Sequence, residues 1–161
     1  MKFTCFNKKK IIITGHTGFK GSWLFAWLTK LNADVVGISN GIPTNPSHFN
    51  IINSKRKTFW IDIREQKKLE KKIISFQPDF IFHLAAQSLV FKSTKNPVET
   101  WTTNLLGTIN VLESIRKLNK KCAVVLVTSD KCYENLEIDR GYKENDRLGG
   151  SDPYSASKAS T

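Results

Sequence analysis

Apolar and polar positions alternate along this chain in two periods. Lys10–Thr14 carries Ile11, Ile12 and Ile13, a β-branched run that predicts a buried strand. Residues 19–31 place Trp23, Leu24, Trp27, Leu28 and Leu31 at helical spacing, which predicts a helix with its tryptophans in the core. Asp34–Ser39 reads as a second strand, and residues 41–47, with two prolines, as a loop. A short helix over His48–Ile52, a strand over 58–63 and a helix over 64–75 follow. The strand at 79–84 precedes a long helical stretch from Pro97 to about Leu118. The near-continuous apolar run 122–128 predicts a strand covered on both faces. A loop over 129–152 then leads to a helix opened by Pro153. This βαβα order predicts an α/β fold, a doubly wound parallel sheet of Rossmann type with helices on both faces. Residues 1–161 read as one domain, without repeats or a linker.

Composition narrows the class. The 161 residues are 40% hydrophobic, which suits a soluble globular protein with a real core. No apolar run reaches the length of a membrane span, and residues 1–10 are too short and polar for a signal peptide. Cys5, Cys122 and Cys132 are odd in number and lack metal-ligand spacing, so we expect a reduced, cytoplasmic setting and no metal. The net charge is +11 and the pI about 9.7. The lysines fall in short groups (residues 8–10, 55–57, 67–68, 71–72, 120–121) without an interleaved aromatic recognition motif. That pattern reads as solvated helix faces, and neither nucleic acid nor a membrane is expected as partner.

Two stretches carry chemistry. After the first strand come Gly15, His16, Thr17, Gly18, Phe19, Lys20 and Gly21, three glycines at a spacing of three before a helix. Strand, glycine turn and helix together suit a dinucleotide pyrophosphate, because the turn brings backbone close and the helix N-terminus offers N–H groups. An ordinary βα turn is the alternative. Ser39, Asn40 and Gly41 close the second strand, where an acidic residue would select NAD over NADP. Ser39 or Asn40 is left to bond the ribose. Asp62, after the third strand, is placed to accept from an adenine amino group or to cap the next helix. Ala85, Ala86, Gln87 and Ser88 follow the fourth strand, small residues that let a cofactor lie against the backbone. Tyr154 and Lys158 stand four apart at a helix start and share a face. An ammonium that close favours the phenolate, so the tyrosine is fitted for acid–base work. Ser129, Asp130 and Lys131 follow the fifth strand, at the sheet edge where such folds place their sites.

The glycine spacing resembles the short-chain dehydrogenase/reductase superfamily. The runs 15–24, 83–90, 128–135 and 141–158 together resemble one extended branch of it, the CDP-glucose 4,6-dehydratases. The related dTDP-glucose dehydratases carry Asp-Glu where this chain has Asp130-Lys131. The resemblance implies a lyase that binds NAD and a CDP-sugar and dehydrates CDP-glucose to a 4-keto-6-deoxy product by internal hydride transfer. It implies a cofactor set of Gly15 to Gly21, Ser39, Asp62, Ile63, Leu84, Ala85, Ala86, Asn104, Tyr154 and Lys158. Gln87 and Ser129 are implied to touch substrate, and Ser129, Asp130, Lys131, Tyr154 and Lys158 to be catalytic. Tyr154, with Lys158 and Ser129, is expected to deprotonate the sugar 4-OH. Lys131 is expected to take the C5 proton, and Asp130 to protonate the departing 6-OH. A helix-paired homodimer is common in this family. Extended members continue well past the Tyr-Lys motif, so we expect the chain to be an incomplete NAD-binding domain lacking most of the substrate pocket. A sugar-nucleotide epimerase or reductase, which needs no Asp-Lys pair, and a non-catalytic nucleotide-binding module are the other readings.

Overall fold

The structure is a computed structural model that describes residues 3–52 and 57–161. Met1, Lys2 and residues 53–56, which hold most of the 55–57 basic group, lie outside the described residues. Packing divides the chain into two compact units, residues 3–85 with 110–127 and residues 86–109 with 128–161.

The first unit is a five-stranded parallel sheet in the order β3-β2-β1-β4-β5. Its strands are β1 Lys10–Thr14, β2 Asp34–Ser39, β3 Thr58–Trp60, β4 Phe80–His83 and β5 Ala123–Leu126. The chain winds outward from β1 to β3, then returns to lay β4 on the other side of β1. The doubly wound expectation holds. Strand periodicity sorts the isoleucines of β1 between two cores. Ile11 and Ile13 pack with Val35 and with Phe25 and Leu28 of α1 (Phe19–Lys30). Ile12 faces the other way, onto Ile38, Ile81, Leu69 and Ile73 of α3 (Gln66–Phe76), and Val111.

Three expectations for this unit need correction. Trp23 and Trp27 are not core residues, being 54% and 46% exposed. Helix α1 is apolar nearly all round, and the face it buries is Gly21, Ser22, Phe25 and Leu28. Nor is β5 covered on both faces: it has one neighbour, and Ala123 and Val125 are exposed. The third strand ends at Trp60, short of Asp62, where the backbone turns toward α3.

The second unit is helical. It contains α4 (Val90–Lys95), α5 (Pro97–Trp101) and a π-helical turn over Thr102–Leu106. The turn runs into α6 (Gly107–Arg116), so the single long helix expected from Pro97 is interrupted at Asn104. A 3₁₀ turn at Asp130–Cys132 and α7 (Pro153–Ala159) complete the unit, with a lone antiparallel bridge from Tyr133 to Leu148 inside the intervening loop. Helix α2 (His48–Ile52) lies in the first unit beside α1.

Candidate active site

The glycine turn leaves β1 with Gly15 at φ +73°, whose N–H donates to the Ile38 carbonyl at 2.8 Å. A Cβ here would come within 2.7 Å of the Ala85 nitrogen, so only glycine fits. At Gly21 a Cβ would lie 2.2 Å from the Gly15 carbonyl oxygen. Gly18 differs, because a Cβ there would make only ordinary contact with the chain. It is the N-cap of α1, and no side chain caps that end. The first N–H groups of the helix are therefore left to a ligand or water.

The side chains of this turn work inward. The His16 imidazole is fully buried between the Thr58 hydroxyl (Nε2 to Oγ1, 3.0 Å) and the Ser39 hydroxyl (Nδ1 to Oγ, 3.0 Å). Phe25 and Phe49 close around the ring. Thr17 donates its hydroxyl to the Gly41 carbonyl at 2.7 Å, tying the turn to the loop after β2. What His16 and Thr17 offer a ligand is backbone. Phe19 and Lys20 are exposed.

Ser39 spends its hydroxyl on His16, and the Asn40 amide donates to Asp62 Oδ2 at 3.2 Å. Asp62 receives a bidentate grip from Arg64, Nε to Oδ1 at 3.0 Å and Nη2 to Oδ2 at 2.6 Å. The Arg64 guanidinium, aided by the Arg64 N–H and Asn40, holds the Asp62 carboxyl down at about 2. Asp62 Oδ1 accepts from the Arg64 N–H, and Glu65 Oε1 accepts from the Asp62 N–H, which closes a turn ahead of α3; the N-cap of α3 is Glu65, without a side-chain bond, so Asp62 does not cap that helix as expected. Sequence reasoning missed Arg64, although a guanidinium two residues from an Asp after a strand is a readable signal. Ile63 is buried in the core, and its carbonyl accepts from Asn110. Leu84 and Ala85 extend β4, their N–H groups bonded to the Thr14 carbonyl and hydroxyl. Ala85 thereby presents backbone to Gly15.

The second unit is organised by Asn104, which is 1% exposed on the π turn. Its Oδ1 accepts from the Gln87 N–H at 2.8 Å, and its Nδ2 donates to the Gln87 carbonyl at 3.1 Å and to Ser157 Oγ at 2.8 Å. Gln87 turns its own amide onto the Leu89 backbone and the Thr100 hydroxyl. Both side chains, expected to meet ligands, are engaged in holding Ala86–Leu89 and α7. Ala86 is half-buried.

Helix α7 presents Tyr154, half-buried, and Lys158, 6% exposed, one turn apart. Burial pushes the Lys158 ammonium below its usual value, opposed by the nearby Cys132 sulfur. The helix is started by Pro153 and capped by Asp152, which accepts from the Ser155 N–H at 3.0 Å and the Ser155 hydroxyl at 2.5 Å. At Gly150 a Cβ would sit 2.4 Å from the Ala156 nitrogen, so glycine lets the preceding loop press onto α7. The 3₁₀ turn holding Asp130, Lys131 and Cys132 also packs on α7. Ser129 donates its hydroxyl to Asp130 Oδ1 at 2.9 Å and accepts from the Lys131 N–H at 3.3 Å. The Ser129 hydroxyl, and secondarily the Lys131 backbone and charge, lower the Asp130 pKa, so the exposed carboxyl is ionised near neutrality. Ser129, Asp130, Lys131, Tyr154 and Lys158 thus all belong to one unit.

Comparison with known proteins bears on these features. The chain is 48% identical over 152 residues to the CDP-glucose 4,6-dehydratase of Salmonella typhimurium, covering 93% of this chain and 42% of that protein. It is 29% identical to the CDP-paratose 2-epimerase of Salmonella typhi, covering 92% of this chain and 49% of that protein. The chain spans about half the length of the curated relatives it matches. Among solved structures, the Thermus thermophilus UDP-glucose 4-epimerase in complex with NAD superposes with TM-score 0.81 at 27% identity, over 93% of this chain and 47% of that one. Epimerase Mth375 of Methanothermobacter thermautotrophicus gives 0.84 at 26% identity, over 99% and 47%. The model of the GDP-mannose 4,6 dehydratase family matches residues 12–161, taking in the glycine turn, Ser129 to Lys131 and the Tyr154–Lys158 pair. The chain belongs to the GDP-mannose 4,6 dehydratase family.

Proposed function

We propose that this chain carries the NAD-binding and proton-transfer residues of an enzyme that dehydrates CDP-glucose to CDP-4-keto-6-deoxyglucose. The observation that carries the proposal is the Ser129-Asp130-Lys131 turn packed on the helix that bears Tyr154 and Lys158. The 48% identity to a CDP-glucose 4,6-dehydratase supports the same reading.

The glycine turn suits a dinucleotide. The α1 N-terminus has no side-chain cap, and Gly18 leaves room that nothing within the chain requires. Asp62 is the acceptor for the adenine amino group, and no acidic residue of the β2 end is present to read a ribose hydroxyl. Bound there, NAD would accept a hydride from the sugar C4 and return it to C6.

The remaining work falls to side chains of the chain itself. Tyr154, with the Lys158 ammonium beside it and Ser129 bonding the sugar, removes the 4-OH proton. The ketone so formed acidifies C5, and Lys131, as the neutral amine, takes the C5 proton and becomes the ammonium. Asp130 gives a proton to the 6-OH, which leaves as water. That step needs a protonated Asp130, a form the unliganded chain disfavours. A sugar that displaces water from the carboxyl raises its pKa by desolvation and so supplies the acid form.

The identity to an epimerase favours one other reading within the same family. An epimerase uses the Tyr and Lys without needing the Asp-Lys pair. No helix among the described residues is long and apolar enough to cross a membrane. The free cysteines fit a cytoplasmic enzyme.

The test is thermal unfolding of the chain with and without NAD, followed by mass spectrometry of CDP-glucose incubated with it. A transition raised by NAD is expected of the chain itself, and loss of one water from the sugar nucleotide is expected once the chain is extended to the length of its relatives. Asp130→Asn should suppress the water loss and leave the NAD-induced rise intact. An isomer of unchanged mass, separated from CDP-glucose by chromatography, would make the protein an epimerase. An NAD-dependent rise with no turnover would leave a nucleotide-binding module. A transition indifferent to NAD would overturn the cofactor assignment.

A further inference from the structure

The chain's positive charge is not evenly spread. The first 61 residues hold nine Lys or Arg and a single acidic residue, Asp34, whereas the remaining hundred are nearly balanced. This basic half displays an aromatic row on α1. Phe19, Trp23 and Trp27 lie at i, i+4 and i+8 on one helix face and are 68%, 54% and 46% exposed. His48 of α2 stacks on Trp23, with centroids 4.4 Å apart, and meets Phe19 edge-on. Phe3, 40% exposed, meets Trp27 edge-on at 5.1 Å.

Lysines frame the row. Lys20 and Lys30 stand at the two ends of α1. Lys8 and Lys9 join Lys30, because the Lys8 N–H donates to the Asn32 carbonyl and Asn32 Nδ2 donates to Asn7 Oδ1, each at 2.8 Å. Lys57, Lys68, Lys92, Lys117 and Lys120 all pair with carboxylates. Lys8, Lys20 and Lys30 form no ion pair among the described residues, and Lys9 forms none but lies near enough to Asp79 to help hold its carboxyl below the usual range.

We propose that this aromatic and lysine face of α1 docks the protein on an anionic lipid surface. Exposed Trp and Phe seat at the headgroup boundary, where their rings are apolar and the Trp N–H is wetted. Lysines bury their stems and present ammonium groups to lipid phosphates. The positive charge of Lys8, Lys20 and Lys30 beside the aromatic row suits a negative surface and disfavours a second copy, which would set lysines against lysines. A spanning helix is not needed: a face of this kind lies in the interface plane without crossing it.

The test is co-sedimentation of the full chain with vesicles of phosphatidylcholine alone and of equal parts phosphatidylcholine and phosphatidylglycerol. Binding to the anionic vesicles only, weakened by salt and accompanied by a blue shift of tryptophan emission, is expected. Lys8→Glu/Lys9→Glu/Lys30→Glu should weaken it by more than about a hundredfold, since each lysine near an anionic leaflet contributes roughly fivefold. Trp23→Ala/Trp27→Ala should weaken it by about tenfold or more through lost apolar burial. If that pair lowers the melting temperature, the lysine variant decides alone. No binding to anionic vesicles, equal binding to neutral ones, or indifference to the lysine changes would overturn the proposal. So would concentration-dependent dimerisation abolished by the tryptophan changes, which would put a second copy on the face.

Discussion

Gly37→Ala should destabilise the sheet although alanine is the better strand residue. Gly37 sits mid-strand in β2, paired with Ile13 of β1 and Thr58 of β3. A Cβ there would lie 2.2 to 2.4 Å from three atoms of the His16 ring. The ring has no exit, being bonded to Thr58 and Ser39 and walled by Phe25 and Phe49. Three effects compete. Alanine regains about 0.5–1 kcal/mol of chain entropy. Overpacking a closed site costs about 1–3 kcal/mol. Pushing the imidazole off its two partners costs about 1 kcal/mol for each hydrogen bond. The net is a loss of about 3 kcal/mol, a large share of the ~5–15 kcal/mol that holds a domain together. In urea the midpoint should fall by about 1–2 M, given a slope of roughly 2 kcal/mol per molar. His16→Ala vacates the space the methyl needs, so the double variant should be more stable than the two losses predict, with a coupling of about 2 kcal/mol. Unchanged stability in Gly37→Ala, or strict additivity with His16→Ala, would refute the account. Because His16 lies inside the glycine turn, Gly37→Ala should also erase the NAD-induced rise in melting temperature.

Other perturbations probe separate links. Gly15→Ala forces a side chain onto a φ of +73° and against Ala85, and isothermal titration should show NAD affinity lost. The Asp62 carboxyl has a folded pKa of about 2, below its unfolded value, so its contribution is present above about pH 4 and lost as pH falls toward 2. The shift corresponds to at most about 2 kcal/mol, and solvent screening of the half-open Asp62–Arg64 pair reduces it to about 1. Urea midpoints of Asp62→Asn should lie below the parent's at pH 6 and meet them near pH 2. Asp152→Ala removes the cap of α7 at a cost of about 1 kcal/mol, and amide exchange within residues 153–159 should speed up about fivefold.

The sequence displayed the backbone of this protein better than its side chains. The first two strands were readable residue by residue, because β-branched runs bounded by polar residues leave little choice of register. Gly15 and Gly21 were readable because close backbone approach admits one residue type. Helix α1 misled because Trp23 and Trp27 satisfy helical spacing as well as Phe25 and Leu28 do, and periodicity alone does not say which of two apolar faces meets the sheet. The π turn was invisible, since it answers to Asn104 reaching the Gln87 backbone and Ser157, a partnership made across distant residues. The same limit applies to the site. The resemblance put His16, Gln87 and Asn104 among the ligand-binding residues, but their polar atoms are bonded within the protein. Their task is to fix the glycine turn, the Ala86–Leu89 backbone and α7. We propose that NAD at the glycine turn would be met there chiefly by main-chain groups, which His16 sets from within the core. Changes at His16 should therefore impair NAD binding through the shape of the glycine turn, whereas changes at Asn104 should loosen Ala86–Leu89 and α7.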